Sequence, residues 1–353
     1  MTDATQSLIE QVNSARAEQR HLRIVGGDSK AFMGRETTEG ESLEVGRHNG
    51  IVSYEPVELV LTARAGTPLA EIEAALAEHH QMLAFEPPHF GGGATIGGTL
   101  ACNQSGPARP WSGSVRDMVL GLRLINGRGE HLRFGGQVIK NVAGYDVSRL
   151  QAGALGTLGV ITEVSLKVMP IPAVTLTLVQ EMPADQAIAQ MNRYSGLPKP
   201  LTGAFWLDGK LYLRLAGAES AVNGTAQQWG GERLEDADTL WQQLNNHQLD
   251  FFNTDRLLWR FSVNSAAPHW QPQQNWLLDW GGSQRWLSGD GDPAVMTEQA
   301  GAAGGQVSLF RGGDRQSEVS PALAPPLQKL HQRLKVAMDP DGIFNKGRLY
   351  GWM

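Results

Sequence analysis

At 353 residues the chain is longer than one typical domain, and its length predicts two. With 41% apolar and 19% charged residues it fits an ordinary soluble globular protein, and a net charge of −6 argues against a nucleic-acid partner, which asks for a basic surface. The single cysteine, Cys102, excludes an internal disulfide and an iron–sulfur cluster held by this chain alone.

The first twenty residues are polar, carry Asp3 and Glu10, and lack the apolar run of a secretory signal. The longest uncharged apolar stretch, residues 152–161, is glycine-rich and about half the length needed to span a bilayer. A cytoplasmic protein is expected, with any membrane attachment peripheral and through a partner.

Residues 6–19 predict an amphipathic helix, and residues 21–25 a strand running into Gly26-Gly27-Asp28-Ser29-Lys30. Strands follow at 51–54 and 59–63. Thr67-Pro68 then predicts a helix start, with Thr67 as the cap, Pro68 at the first helical position, and Leu69, Ile72 and Leu76 on one face. Further strands are expected at 82–85, 119–125, 130–134 and 160–168. Glycine is dense from 91 to 160, whereas eight of the ten tryptophans fall between Trp206 and Trp286. With proline-containing breaks at 169–172 and 321–326, this shift divides the chain into 1–172 plus 325–353, and 173–324.

The second region predicts strands at 174–179, 210–215, 285–287 and 306–310, with helices at 184–194 and 294–300. This order suggests a duplicated β-α-β arrangement. The tail predicts a helix at 327–338, stopped by Asp339-Pro340-Asp341-Gly342. Trp206, Trp241, Trp259, Trp270, Trp276, Trp280 and Trp286 are expected to be mostly core, with some on a docking face, where tryptophan is enriched.

The main chemical signal is Pro87-Pro88-His89-Phe90-Gly91-Gly92-Gly93-Ala94-Thr95-Ile96-Gly97-Gly98, continuing through Asn103, Gly106 and Gly113-Ser114-Val115-Arg116-Asp117. A diphosphate needs several backbone N–H groups aimed at its oxygens, and glycine leaves that approach open. Gly289-Asp290-Gly291-Asp292-Pro293-Ala294 matches a dinucleotide fingerprint, but its two aspartates would set negative charge where a diphosphate should lie. It is read as a loop and helix cap. His79-His80 cannot share one face, and His247, His269 and His331 stand alone, so no metal site is predicted.

In order along the chain, Gly26–Lys30, Thr95–Gly98, Gly113–Asp117, the Gly153–Ile161 segment and Asp339–Leu349 resemble the vanillyl-alcohol oxidase family, with its PCMH-type FAD-binding domain. The resemblance covers roughly residues 1–172 and 325–353. It implies an α+β fold: two α/β subdomains binding FAD, with a smaller α+β cap. It implies that Gly26, Gly27, Asp28, Ser29 and Lys30 form the first pyrophosphate loop. Pro88, Thr95, Ile96, Gly97, Gly98, Asn103 and Gly106 would line the pyrophosphate and ribityl side, and Gly113, Ser114 and Asp117 would continue around the diphosphate. Val160 and Ile161 would lie near the adenine or dimethylbenzene, and Asn345 and Arg348 would approach the isoalloxazine. FAD is expected to be non-covalent. Relatives that tether it use a histidine in the first loop, where this chain has Asp28, or a cysteine in the second, where Cys102 lies past the glycines and is expected to be small and buried. His89 is the remaining tether candidate.

Within that family, Val138–Leu150 and Leu309-Phe310-Arg311 are most similar to the short FAD-binding subunits of bacterial glycolate oxidases. That likeness implies a complex with a larger FAD-binding subunit and an iron–sulfur subunit, oxidising the 2-hydroxy acid glycolate to glyoxylate. Oxidation of such an acid needs a cationic clamp for the carboxylate and a base for the hydroxyl proton. Arg311 and Arg348 are the expected clamps, and Lys140 and Tyr145 the residues expected to face the flavin. Larger relatives carry Gly-Ser-Glu-Gly-Thr where this chain has Gly153-Ala154-Leu155-Gly156-Thr157, and they carry a histidine cluster missing here. A flavin-binding assembly or electron-relay subunit is therefore an alternative, and a stand-alone D-lactate-type dehydrogenase another.

Overall fold

In a computed structural model the structure is described for residues 2–37, 39–136, 146–271 and 273–353. The expected Lys140 and Tyr145 lie outside these residues.

The chain opens with helix Thr5–Ala17, which buries Leu8, Val12 and Ala15 at the spacing of one helical face. Strand Leu22–Val25 pairs in parallel with Glu41–Glu44. The C-terminal tail lies on its other side: the Leu22 N–H donates to the Ile343 carbonyl at 2.7 Å and the Asn345 N–H to the Leu22 carbonyl at 2.9 Å. Next comes an antiparallel five-stranded sheet, in spatial order Ile51–Glu55, Val60–Arg64, Val160–Lys167, Val119–Ile125 and His131–Gly135. Leu61, Ala63, Leu124 and Val164 pack with helices Leu69–Ala77 and Ile96–Cys102 into one core.

Two local expectations need correction. Pro68, not Thr67, is the residue preceding helix Leu69–Ala77, because the Thr67 hydroxyl is already used: it donates to the Arg64 carbonyl and accepts from the Gly50 N–H. The strand expected at 82–85 is only Gln81–Met82, paired with Met169–Pro170, while Leu83, Ala84 and Phe85 go into the core as loop. Their apolar character reported burial rather than a sheet ladder.

Residues 174–311 build a single eight-stranded antiparallel sheet. Four of its strands, in spatial order Glu232–Leu234, Val174–Glu181, Lys210–Gly217 and Leu201–Leu207, form a β-α-β-β-α-β unit with helices Ala184–Ser195 and Glu219–Trp229. The other four, Asn275–Asp279, Gln284–Ser288, Leu258–Ser262 and Gln306–Arg311, repeat that order in mirror sequence. This second half keeps the later helix, Pro293–Ala302, and has an irregular stretch where the earlier one would be. The halves join through Trp206-Leu207 against Leu278-Leu277.

One face of this sheet is covered by its own helices through Ile188, Met191, Val222 and Met296. The other face presents Phe205, Leu258, Leu277, Trp286 and Phe310 to Phe32, Met33 and Phe90 of the first region. Trp241, Trp259, Trp276, Trp280 and Trp286 are buried, and Trp206 and Trp270 half-buried, in keeping with tryptophans that are mostly core.

Candidate cofactor site

The strand Leu22–Val25 ends in the glycine loop 26–30, which runs against the second glycine loop. A Cβ on Gly27 would lie 1.4 Å from the Gly93 carbonyl oxygen, and one on Gly26 would lie 2.7 Å from the Thr95 hydroxyl. Thr95 caps helix Ile96–Cys102, its hydroxyl accepting from the Gly98 N–H at 3.3 Å. Gly97 brings that helix onto the sheet, since its Cβ would meet Ala65 at 2.6 Å. These contacts border a solvent-open cleft.

Gly26, Gly27, Asp28, Ser29, Lys30, Thr95, Gly97, Gly98, Ile161, Asn345 and Arg348, all expected from sequence, line this cleft. The cleft is electropositive. Lys30 is only 6% exposed, and its ammonium has Ser29 at 3.5 Å and the Phe90 ring at 5.6 Å, with no carboxylate at ion-pair distance among the described residues. Burial lowers its pKa. A buried cation without a counter-ion is costly unless a ligand supplies the anion. Arg348 adds a second cation, held by a hydrogen bond to the Ala31 carbonyl at 3.2 Å.

Cys102 also lines the cleft, half-buried, where a residue packed in the core was expected. As the last residue of its helix it faces the glycine loop. Burial raises its thiol pKa, and Lys30 and Arg348 oppose that shift. Asn345, with φ at +40°, is a structural lock. Its side chain accepts from the Ile24 N–H at 2.8 Å and donates to the Leu155 carbonyl at 2.6 Å, so both ends of the amide are engaged in the protein. The buried pair Lys335–Asp339 fixes the preceding turn. The ammonium donates to Asp339 at 2.7 Å and to the carbonyls of Thr157 and Phe344, while the carboxylate accepts from the Ile343 and Phe344 N–H groups.

The remaining expected residues do not line the cleft. Ile96 and Val160 are fully buried core. Ser114 and Asp117 satisfy each other in a capping box at the turn that Gly113 begins. Asn103 ends its helix in the left-handed conformation. Gly106 packs under Glu86, where a Cβ would meet the Glu86 carbonyl at 2.5 Å. Pro88 lies in the loop beside His89, which pairs with Glu73 at 3.0 Å away from the cleft. Asp292 caps helix Pro293–Ala302, accepting from the Ala294 and Val295 N–H groups, in keeping with a loop and helix cap at that motif. No group of three or more metal-ligating side chains occurs among the described residues.

Between the cleft-bearing region and the eight-stranded sheet lies a polar layer that sequence reasoning missed. Arg311 reaches the Phe252 carbonyl, so the expected clamp is engaged within the sheet region. His247 stacks on Phe252 at 4.0 Å, and burial first, then Arg311 and Arg260, push its pKa well down, keeping it neutral. Arg214 pairs with Glu86 across the two regions at 2.7 Å. Asp279 accepts from the Trp280 N–H and the Gln284 amide, and burial pushes its carboxyl pKa up to about 7. Trp280 donates across the interface to the Gly106 carbonyl at 3.0 Å. These positions follow from strand register, which no local motif announces.

Comparison with known proteins places this geometry. Residues 2–135 match the family model "FAD binding domain". The chain is 48% identical to the glycolate oxidase subunit GlcE of Escherichia coli (strain K12), over 99% of its own length and 98% of that protein. It is 34% identical to the glycolate oxidase subunit GlcD of Bacillus subtilis (strain 168), over 40% of this chain and 29% of that one. An alkyldihydroxyacetonephosphate synthase structure superposes with a TM-score of 0.67 at 16% identity, covering 96% of this chain and 74% of that one, which is a likeness of fold. The chain therefore has the α+β fold of a flavoprotein with FAD as its cofactor, and it belongs to the family of the glycolate oxidase subunit GlcE.

Proposed function

We propose that this chain is the FAD-binding subunit of a complex that oxidises glycolate to glyoxylate and passes the electrons through flavin to an iron–sulfur partner. The observation that carries the reading is the buried, counter-ion-free Lys30 in a glycine-walled cleft, in a chain of this family. The residues present fit FAD. Lys30 and Arg348 would neutralise its diphosphate, the glycines at 26, 27, 97 and 98 would admit it close to the backbone, and Leu155 and Ile161 would line the apolar side. When bound, FAD supplies a two-electron acceptor for the hydride leaving the hydroxyl-bearing carbon. The chain's own residues hold the cofactor, shield it from water and present a cationic layer across the interface. The reading takes residues 1–172 plus 325–353 as the FAD-binding domain and 173–324 as the cap, supported by their separate hydrophobic clusters. No helix among the described residues is long and apolar enough to cross a membrane, so membrane contact would come through the larger flavoprotein and iron–sulfur subunits.

The relay alternative is favoured by one feature: Leu155, at φ +50°, lines the cleft where larger relatives place a carboxylate. The absorbance spectrum of the purified chain under anaerobic glycolate separates the two. Bleaching of the flavin band places turnover on this chain, whereas a band that stays oxidised until the partners are added moves the chemical step to a sister subunit. Absence of a flavin band after reconstitution would overturn both.

A further inference from the structure

The polar layer between the two regions holds two guanidinium groups that make no ion pair among the described residues, Asp279 and Asp117 acting on them only at longer range. Arg260 lies on strand Leu258–Ser262, where the alternation that sends Trp259 and Phe261 toward the sheet's own helices turns Arg260 toward the FAD-binding region. Its Nε donates to the Gln284 side chain at 2.8 Å, and its terminal nitrogens make no hydrogen bond or ion pair among the described residues. Arg109, from the FAD-binding region, makes no side-chain hydrogen bond or ion pair among the described residues. Both sit over one ring, Trp280, with guanidinium carbons 4.5 Å (Arg109) and 5.2 Å (Arg260) from its centroid. That indole is itself pinned to the first region by its bond to the Gly106 carbonyl.

The other cations of this layer are already occupied. Arg214 has Glu86, and Arg311 has the Phe252 carbonyl. Asp279 is engaged by Gln284 and the Trp280 N–H and makes no ion pair with Arg260. Burial, and secondarily the charge of Arg109, brings the Arg260 pKa down to about 10, so both groups stay charged in neutral solution. Two like charges brought together out of water call for an anion, and stacked guanidiniums with free N–H groups suit a planar carboxylate.

We propose that Arg260 and Arg109, one from each region, form a carboxylate site at the interface, and that the carboxylate of the 2-hydroxy acid occupies it. The assignment rests on the oxidase reading above. It replaces Arg311 and Arg348 as the clamp and makes substrate binding depend on both regions at once.

The test titrates the FAD-loaded full chain with oxalate, a carboxylate that cannot be oxidised as an alcohol, by calorimetry, and measures KM for glycolate in the assembled complex. Wild-type chain is expected to bind oxalate saturably. Arg260→Gln and Arg109→Gln should each weaken binding by at least about tenfold and raise KM similarly, with FAD content unchanged. Arg260→Lys keeps the charge but loses the fork, so it should fall between; because it keeps the cation, it also serves if the glutamine variant fails to fold. Oxalate binding that is absent in wild type, or equal in the folded variants, overturns the site. Glycolate-driven flavin reduction in the wild-type complex reports separately on the oxidase reading: if it persists while the variants behave as wild type, only the clamp is lost.

Discussion

The FAD-binding region and the eight-stranded cap solve the same packing problem with opposite materials. In the first, main chain meets main chain: Gly27 against Gly93, Gly97 against Ala65 and Gly106 against Glu86 leave no room for a side chain. In the second, large side chains carry the contacts, with Trp276 tilted against Phe261 and the guanidinium of Arg285 fully buried beside Trp270. A site made from backbone tolerates no substitution at its closest approaches. A sheet made from side chains can redistribute a loss among its neighbours.

The comparison breaks hardest at the buried charges. Lys335→Met leaves Asp339 buried without its cation, which should cost about 3–5 kcal/mol and loosen the tail, so that urea unfolding shifts and flavin is lost together. In the cap, Arg285→Met strands the carbonyls of Gly282, Pro268 and Ala267, at about 2–3 kcal/mol, and should leave FAD content untouched. Parallel loss of flavin in the cap variant would mean that the two regions are not energetically separable. Gly27→Ala drives the two glycine loops apart and should abolish FAD retention on gel filtration while changing the unfolding free energy by only about 1–2 kcal/mol.

A pH dependence is also expected from the interface. Burial raises the Asp279 carboxyl from 3.8 to about 7, so the folded state holds that proton more tightly than the unfolded chain does. The resulting stability is fully present below 3.8 and is lost as pH rises through about 7. Asp279→Asn, which stays neutral, should flatten the thermal midpoint across that window and melt above wild type on its alkaline side. A wild-type slope retained in the variant would assign it to another group.

The same contrast explains what was legible in the sequence. Gly26–Lys30 and Thr95–Gly98 were readable because backbone approach demands glycine in a fixed order, and the structure brings these segments into one cleft. Ser114 and Asp117 form a capping box outside the lining of this cleft, and a capping box and a phosphate loop use the same residue types. Asn345 lines the cleft as expected, while its hydrogen bonds to Ile24 and Leu155 were not legible because those partners are distant in sequence. The strands at 201–207, 258–262 and 275–279 were missed altogether, and with them Arg260 and Asp279. Their sequences, with adjacent apolar residues such as Phe205-Trp206, Leu258-Trp259 and Trp276-Leu277-Leu278, do not follow a simple apolar alternation, and their pairing includes segments far apart.

The cleft closes with residues from the two extremes of the described chain: the glycine loop at 26–30 and the tail at 345–348. A ribosome makes the first more than three hundred residues before the second. A nascent chain that has already folded its five-stranded sheet still lacks Asn345 to lock Leu155 against Ile24, and Arg348 to balance the anion. If FAD fills this cleft as proposed, its pocket is complete only once the tail has been made, and a product truncated before the final turn lacks that wall.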